Sequence, residues 1–152
     1  MRFWLMATCL IIPVTVGSQV TNPGVGIPLD IADARAARIS NLRYSLQLTI
    51  PEAASTALEG NTSIRFDLAT TADPLVIDFA TSREHVRRVN ANGQESAFTW
   101  RNGHIVVPAV ALTQGANQID VWFKAGDASL NRNADFLYAL FVPARAHLES
   151  AS

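Results

Sequence analysis

Cysteine is all but missing from this chain: Cys9 is the single thiol among 152 residues. A lone cysteine excludes a disulfide framework, and thiolate metal sites built from several cysteines are excluded with it. Charge is also scarce. Charged residues make up 16% of the sequence and the net charge is −1, so the basic stripe that displaces counterions from a nucleic acid is absent, and no nucleic-acid partner is expected. The densest basic cluster, Arg83, Arg87 and Arg88, is interrupted by Glu84 and reads as a solvated strand end. Glycine clusters ahead of a helix are lacking too, since Gly24 and Gly26 fall in a Pro-containing spacer; no phosphate loop is expected. What the chain does have is apolar content, 49% of its residues, enough for a sizeable core in one domain.

The longest apolar run is at the N-terminus. Arg2 precedes Phe3 to Val16, and Gly17 and Ser18 follow with small side chains. This is the pattern of a secretory signal cut after about Ser18, which predicts a secreted or periplasmic protein with no membrane attachment after cleavage. Pro13 interrupts the run, and it is short for the roughly 20 apolar residues of a bilayer span. Cys9 falls inside this segment, preceded by Met6-Ala7-Thr8 rather than by the residues of a lipoprotein site. The mature chain would then carry no thiol and rely on its core, which suits a periplasmic setting.

Residues 19–38 read as a spacer and N-terminal arm; Leu29 to Arg38, rich in alanine, forms either a short helical turn or an extended arm. From Ile39 the period changes to two. Leu42, Tyr44, Leu46, Leu48 and Ile50 alternate with Arg43, Ser45, Gln47 and Thr49, which predicts a strand with one buried and one wet face. Gly60 marks a turn or bulge before Ile64, Phe66 and Leu68, and Leu75, Ile77 and Phe79 repeat the pattern. Val86 and Val89 lead to Asn92-Gly93, and Phe98 and Trp100 lead to Asn102-Gly103; Asn-Gly pairs favour the positive φ angles of tight hairpins. His104 to Val107, then Ile119, Val121 and Phe123, then Phe136 to Val142 complete about eight strands. Strands of this number and spacing predict an all-β protein, an antiparallel β-sandwich spanning 39–146, followed by a divergent tail at 147–152.

Chemistry of its own is hard to find. The histidines, His85, His104 and His147, are far apart and none begins H-E-x-x-H, the helical motif that pairs two imidazoles with a glutamate base; they read as surface or strand-end residues. No serine stands in G-x-S-x-G. Asp67, Asp78 and Asp120 fall on the polar sides of strands, where carboxylates are expected without a catalytic role. Asn131 to Asp135 alternates oxygen ligands but lacks the glycine and distal glutamate of a calcium loop. Asn61-Thr62-Ser63 matches a glycosylation sequon. Trp100 reads as core or core edge. Trp122 is out of phase with Ile119, Val121 and Phe123, and a tryptophan on the wetter face points to a second surface, such as a domain interface.

Between about Gly26 and Ala146 the chain resembles the N-terminal domain of aminopeptidase N-type zinc metallopeptidases. The segments that carry the resemblance are Ile39 to Leu46, Leu58 to Phe66, and Leu112-Thr113-Gln114-Gly115-Ala116-Asn117 with Ile119. Asp135 to Tyr138 and Val142 to Ala146 are similar to the stretch where that family's first domain approaches its catalytic domain, which makes Phe141 and Val142, with Trp122, the candidate interface residues. The resemblance implies a saddle-shaped sandwich beside a thermolysin-like peptidase domain, its partner in cis. Zinc, the G-A-M-E-N substrate loop and H-E-x-x-H belong to that other domain; no catalytic residue, metal ligand or cofactor is implied here. The family's amine-binding Gln or Glu aligns with Val142, and next with Leu140, neither of which has a side-chain acceptor. After Ala146 the family's aromatic-Pro-Cys-aromatic-Asp segment is replaced by His147 to Ser152, which suggests a truncated or frame-shifted product or a deliberately bounded fragment. The expected function is therefore a non-catalytic scaffold domain of a secreted zinc aminopeptidase. The alternatives are a free-standing module binding glycan or protein through Trp122, and a vestigial product with no partner.

Overall fold

The computed structural model describes residues 23–53 and 55–125, and the backbone of residues 131–132 and 137–138. Helix α1 (Leu29–Arg38) takes the helical alternative for the alanine-rich segment. Alanine has the highest helix propensity, and the charges suit the helix dipole, with Asp30 in the first turn and Arg35 and Arg38 in the last.

Ten strands follow among the described residues: β1 (Ile39–Thr49), β2 (Leu58–Leu68), β3 (Leu75–Asp78), β4 (Val86–Ala91), β5 (Gln94–Glu95), β6 (Thr99–Arg101), β7 (His104–Val107), β8 (Gly115–Ala125), β9 (Asn131–Arg132) and β10 (Leu137–Tyr138). One sheet runs β1-β2-β8-β4-β5, a second β3-β7-β6, and β9 pairs with β10 alone. Every pairing is antiparallel. The inner faces of the five-stranded and three-stranded sheets meet in a core that contains Ile64, Phe66, Val89, Ile105, Val107, Ile119 and Val121. Each such side chain contributes about 1.5–3 kcal/mol by leaving water. On the far face of the small sheet, Val76 and Val106 pack against Ala34 of α1. The chain is thus an all-β sandwich with one helix laid on its outside. Ile39 follows α1 without a break, and the helix is tied down: Arg38 donates to the carbonyls of Asp73 (2.8 Å) and Pro74 (3.1 Å).

Both Asn-Gly turns form as expected. Asn92 and Gly93 have φ of 51° and 81° between β4 and β5, and Asn102 and Gly103 have φ of 49° and 84° between β6 and β7. Two consecutive positive φ angles match the twist of a hairpin, and Asn-Gly reaches them at little cost.

Two expectations fail. Gly60 is neither turn nor bulge: it sits inside β2, paired with Leu48 on one side and Phe123 on the other. A Cβ there would lie 2.5 Å from Phe123 Cζ and 3.0 Å from Leu48 Cδ2, so the glycine makes room for the ring. The bulge is in β1 instead, between Ser40 and Arg43, where Asn41 takes a φ of 54° and donates to Asp67 Oδ2 at 2.6 Å. Second, the apolar side of β1 is not buried. Leu42, Tyr44 and Leu46 remain 42%, 65% and 53% exposed. The period predicted the strand correctly but not its cover: β1 is the edge of a five-stranded layer that faces only three strands.

Candidate functional site

That mismatch in width opens a groove. The inner side of β1 (Leu42, Tyr44, Leu46) forms one wall, Thr62 and Phe123 the floor, and β3 with Phe79 the opposite wall, enclosing about 680 Å³. Lys124 and Ala125, the last residues of β8, also line it. The groove is mostly apolar, as ligand and docking sites usually are.

A polar cluster stands at its rim. Arg35 reaches from α1 to Asp78 at the end of β3 with two hydrogen bonds, Nη1 to Oδ2 at 2.8 Å and Nη2 to Oδ1 at 2.6 Å, the bidentate fork that guanidinium and carboxylate favour. His104, opposite Asp78 in the β3–β7 pairing, is only 2% exposed; its Nε2 lies 3.3 Å from Asp78 Oδ1 and its Nδ1 lies 3.3 Å from the Arg101 carbonyl. The Arg35 hydrogen bonds hold the Asp78 carboxyl below its ordinary range, partly offset by loss of water, with the charges of Arg35 and His104 adding to the lowering. The Tyr44 hydroxyl is pushed above its usual value, first by loss of water and then by the Asp78 charge. Because most of the Tyr44 surface stays open, the shift reflects the hydroxyl's surroundings and not a buried ring. As it stands, this cluster clamps the helix onto the small sheet.

The residues singled out from the sequence are not brought together. His85 lies in a 3-10 turn, its Nδ1 3.0 Å from Ser82 Oγ; His104 is buried at the start of β7 and not a surface residue; His147 lies outside the described residues. Asp67 and Asp120 share the outer face of the large sheet, where Asp120 accepts from Ser63 and from Gln118, while Asp78 belongs to the other sheet. Among the described residues there is no group of three or more His, Cys, Asp or Glu placed to hold a metal ion, and both nitrogens of His104 already face protein oxygens. These residues do not fit a zinc centre. Of the calcium-like stretch, only the backbone of Asn131 and Arg132 is described. Asn61 of the sequon lies in β2 between two paired strands, with a buried Nδ2, a poor acceptor position once the chain has folded.

Trp100 packs against the core and donates from Nε1 to the Thr81 carbonyl at 3.0 Å. Trp122 is half-buried on the outer face of the large sheet, between Asn61 and Arg88. The Arg88 guanidinium covers the ring, 3.9 Å from its centroid, in a cation–π contact worth about 0.5–1 kcal/mol at such a site. Phe141 and Val142 lie outside the described residues.

Sequence reasoning missed two features. The groove depends on which strands face one another, information that no period carries. The Asn117 network was signalled only by the motif Leu112 to Asn117: the Asn117 side chain, 5% exposed, donates to the carbonyls of Thr113 (2.6 Å) and Gly115 (2.8 Å) and accepts from Thr113 N (2.9 Å) and Asn92 Nδ2 (3.1 Å). It shapes the turn into β8 and ties it to the first Asn-Gly hairpin.

No protein-family model matches this chain, and no curated protein matches it. Among solved structures, native leukotriene A4 hydrolase from Saccharomyces cerevisiae is similar at 17% identity, over 62% of this chain and 16% of that one, with a TM-score of 0.47. A second structure of the native yeast leukotriene A4 hydrolase is similar at 18% identity, over 68% of this chain and 19% of that one, again with a TM-score of 0.47. The chain therefore spans less than a fifth of the length of either.

Proposed function

We propose that this chain is an exported, non-catalytic scaffold: a β-sandwich that stands beside a zinc peptidase domain of the aminopeptidase N type. One observation carries the reading. The three separate segments that resemble the family, Ile39 to Leu46, Leu58 to Phe66 and Leu112 to Ile119, fold as neighbours, β1, β2 and β8. Tyr44 pairs with Ile64 and Ile64 with Ile119 across them. What the resemblance marks is thus one continuous piece of sheet and a turn held by Asn117, which is a framework and not a reacting centre. The polar groups around it serve packing: Arg35 and Asp78 hold a helix, Asn117 a turn, Ser63 and Asp120 adjacent strands.

Two measurements test the scaffold reading. The purified chain, supplied with zinc, is expected to release no arylamine from aminoacyl arylamides. Turnover that persists through repurification and disappears with a chelator overturns the proposal. The coding DNA just downstream of the Ser152 codon, read in all three frames, is expected to encode H-E-x-x-H; its absence removes the peptidase partner. Export is tested by N-terminal sequencing of the protein recovered from culture, which is expected to begin near Gln19.

A free-standing binding module using Trp122 is the competing reading. The Arg88 guanidinium on the ring weighs against it, because a sugar stacking there must first displace that contact. Saturable glycan binding that Trp122→Ala weakens by more than about 1–2 kcal/mol would favour it instead.

A further inference from the structure

We propose that the free edge of β1 pairs antiparallel with β1 of a second copy, joining two five-stranded sheets into one and the two sandwiches into a closed dimer. Among the described residues β1 pairs with β2 alone. Two hydrogen bonds fix which backbone groups its open edge presents. The Asn92 amide donates to the Gln118 carbonyl at 2.8 Å, so by antiparallel alternation Gln118, Asp120 and Trp122 bond toward β4, and Ile119, Val121 and Phe123 toward β2. Carried across β2, the same alternation turns Ser45, Gln47 and Thr49 inward and Tyr44, Leu46 and Leu48 to the open edge. From the other end, the Ala69 amide donates to the Arg38 carbonyl at 3.0 Å, and the one-residue bulge after Ser40 leads to the same phase. Leu42 is capped, because Arg43 Nη1 donates to its carbonyl at 3.0 Å. The donors and acceptors of Tyr44, Leu46 and Leu48 need a partner, and an added strand supplies one.

This edge is complementary to itself. Its open stretch runs from Leu42 to Ile50, between the Asn41 bulge and Pro51, which has no amide hydrogen to donate. Leu46 stands at the centre. A two-fold axis there sets Leu46 against Leu46 and Tyr44 against Leu48, and these pairs use every uncapped outward group. Leu42 then faces Ile50, so Leu42, Tyr44, Leu46 and Ile50, the large apolar residues left exposed here, meet apolar residues of the second copy on one side of the joined sheet. Arg43, the only charge in the stretch, faces Thr49, and no like charges meet. The groove's own charges stay clear of the contact. Arg35 is paired with Asp78, and Lys124 is on β8 opposite Glu59, with β2 between it and β1. The devices that keep an edge single are a lysine, a proline or an inward charge, and Tyr44 to Ile50 has none of them. The other edge of the large sheet, β5, is only Gln94–Glu95, so growth stops at two copies. This pairing is independent of any peptidase partner.

The experiment uses the full chain. The native protein is expected to sediment as a dimer, and Leu46→Lys, which sets two ammonium groups beside the axis, as a monomer. A native monomer, an assembly larger than two copies, or a Leu46→Lys protein that is still dimeric overturns the proposal. Hydrogen exchange locates the contact. The Tyr44 and Leu48 amides are expected to exchange at least about tenfold faster in Leu46→Lys than in the native chain, with Ser45 and Gln47, bonded inward to β2, unchanged. Equal rates at Tyr44 and Leu48 in the two proteins overturn the pairing, since the edge is then open in both or covered within one chain. Disulfides read the register in a Cys9→Ser background. Leu46→Cys is expected to cross-link two copies across the axis, where paired Cα atoms stand about 5.5 Å apart, within disulfide reach. Tyr44→Cys, set opposite Leu48, is expected not to, and any other pattern overturns the pairing. If Leu46→Lys loses protection at Ser45 and Gln47 as well, the disulfides decide.

Discussion

At the scale of single residues, the chain's polar and small side chains are mostly committed to architecture. Gly60 is one case. Substitution by alanine places a Cβ against Phe123 and Leu48, and overpacking of this kind costs about 1–3 kcal/mol; thermal or urea unfolding of Gly60→Ala is expected to show a loss in that range. Asp78 is another. Its carboxyl is held below the ordinary range chiefly by the Arg35 hydrogen bonds, so its stabilising effect is complete above the unfolded carboxyl pKa of about 4 and is lost as pH falls through the lower folded value. Since the side chain is 40% exposed, solvent screening limits the pair to about 0.2–1 kcal/mol. Asp78→Asn is therefore expected to be less stable than the native protein at pH 7, with the gap narrowing toward pH 3 in paired urea titrations; a constant gap would show that the ion pair contributes nothing. Neither residue's role was legible beforehand. Gly60 read as a turn because glycine usually signals one, and Asp78 read as a wet strand position because its partner Arg35 lies 43 residues away.

Among the elements, local chemistry was a reliable guide wherever it was sufficient. The two Asn-Gly turns formed where the dipeptides stood, because the positive φ requirement is met by those two residues alone. Gly103→Ala is expected to cost about 1–2 kcal/mol, the penalty for an L side chain held in the left-handed region, and Gly103→Asn less; equal losses for both would mean that φ is not the cause. Strand β1 shows the limit. Its alternation fixed the conformation, and the bulge near Asn41 shifted the register by one residue so that Leu42, Tyr44, Leu46 and Leu48 share a side with the core. Whether that side is covered depends on the layer opposite, which is narrower. A double substitution, Leu42→Thr with Leu46→Thr, discriminates. Both residues are about half exposed, and surface changes of this kind stay within about 0.5 kcal/mol; a loss several times larger would show that the groove is covered.

For the molecule as a whole, the all-β sandwich followed from strand count and spacing, since two-faced sheets have few other ways to bury their apolar sides. The order of the strands did not follow. β8 lies at the centre of the large sheet, between β2 and β4, although it is the last long strand of the described chain. This placement bears on how the protein is made. As the polypeptide emerges from the ribosome, β1 and β2 can form a hairpin and β3 can find β7, but the inner margins of β2 and β4 have nothing between them until residues 115–125 are clear of the exit tunnel. At a synthesis rate of about 5–20 residues per second, the unfinished sheet stays open for several seconds, a window in which holding chaperones or an export apparatus can engage it. Ribosome-stalled chains ending before Gly115 are expected to be digested by a mild protease pulse, and chains stalled with Ala125 well outside the tunnel to resist it. Early resistance would mean that the small sheet alone is a stable folding unit.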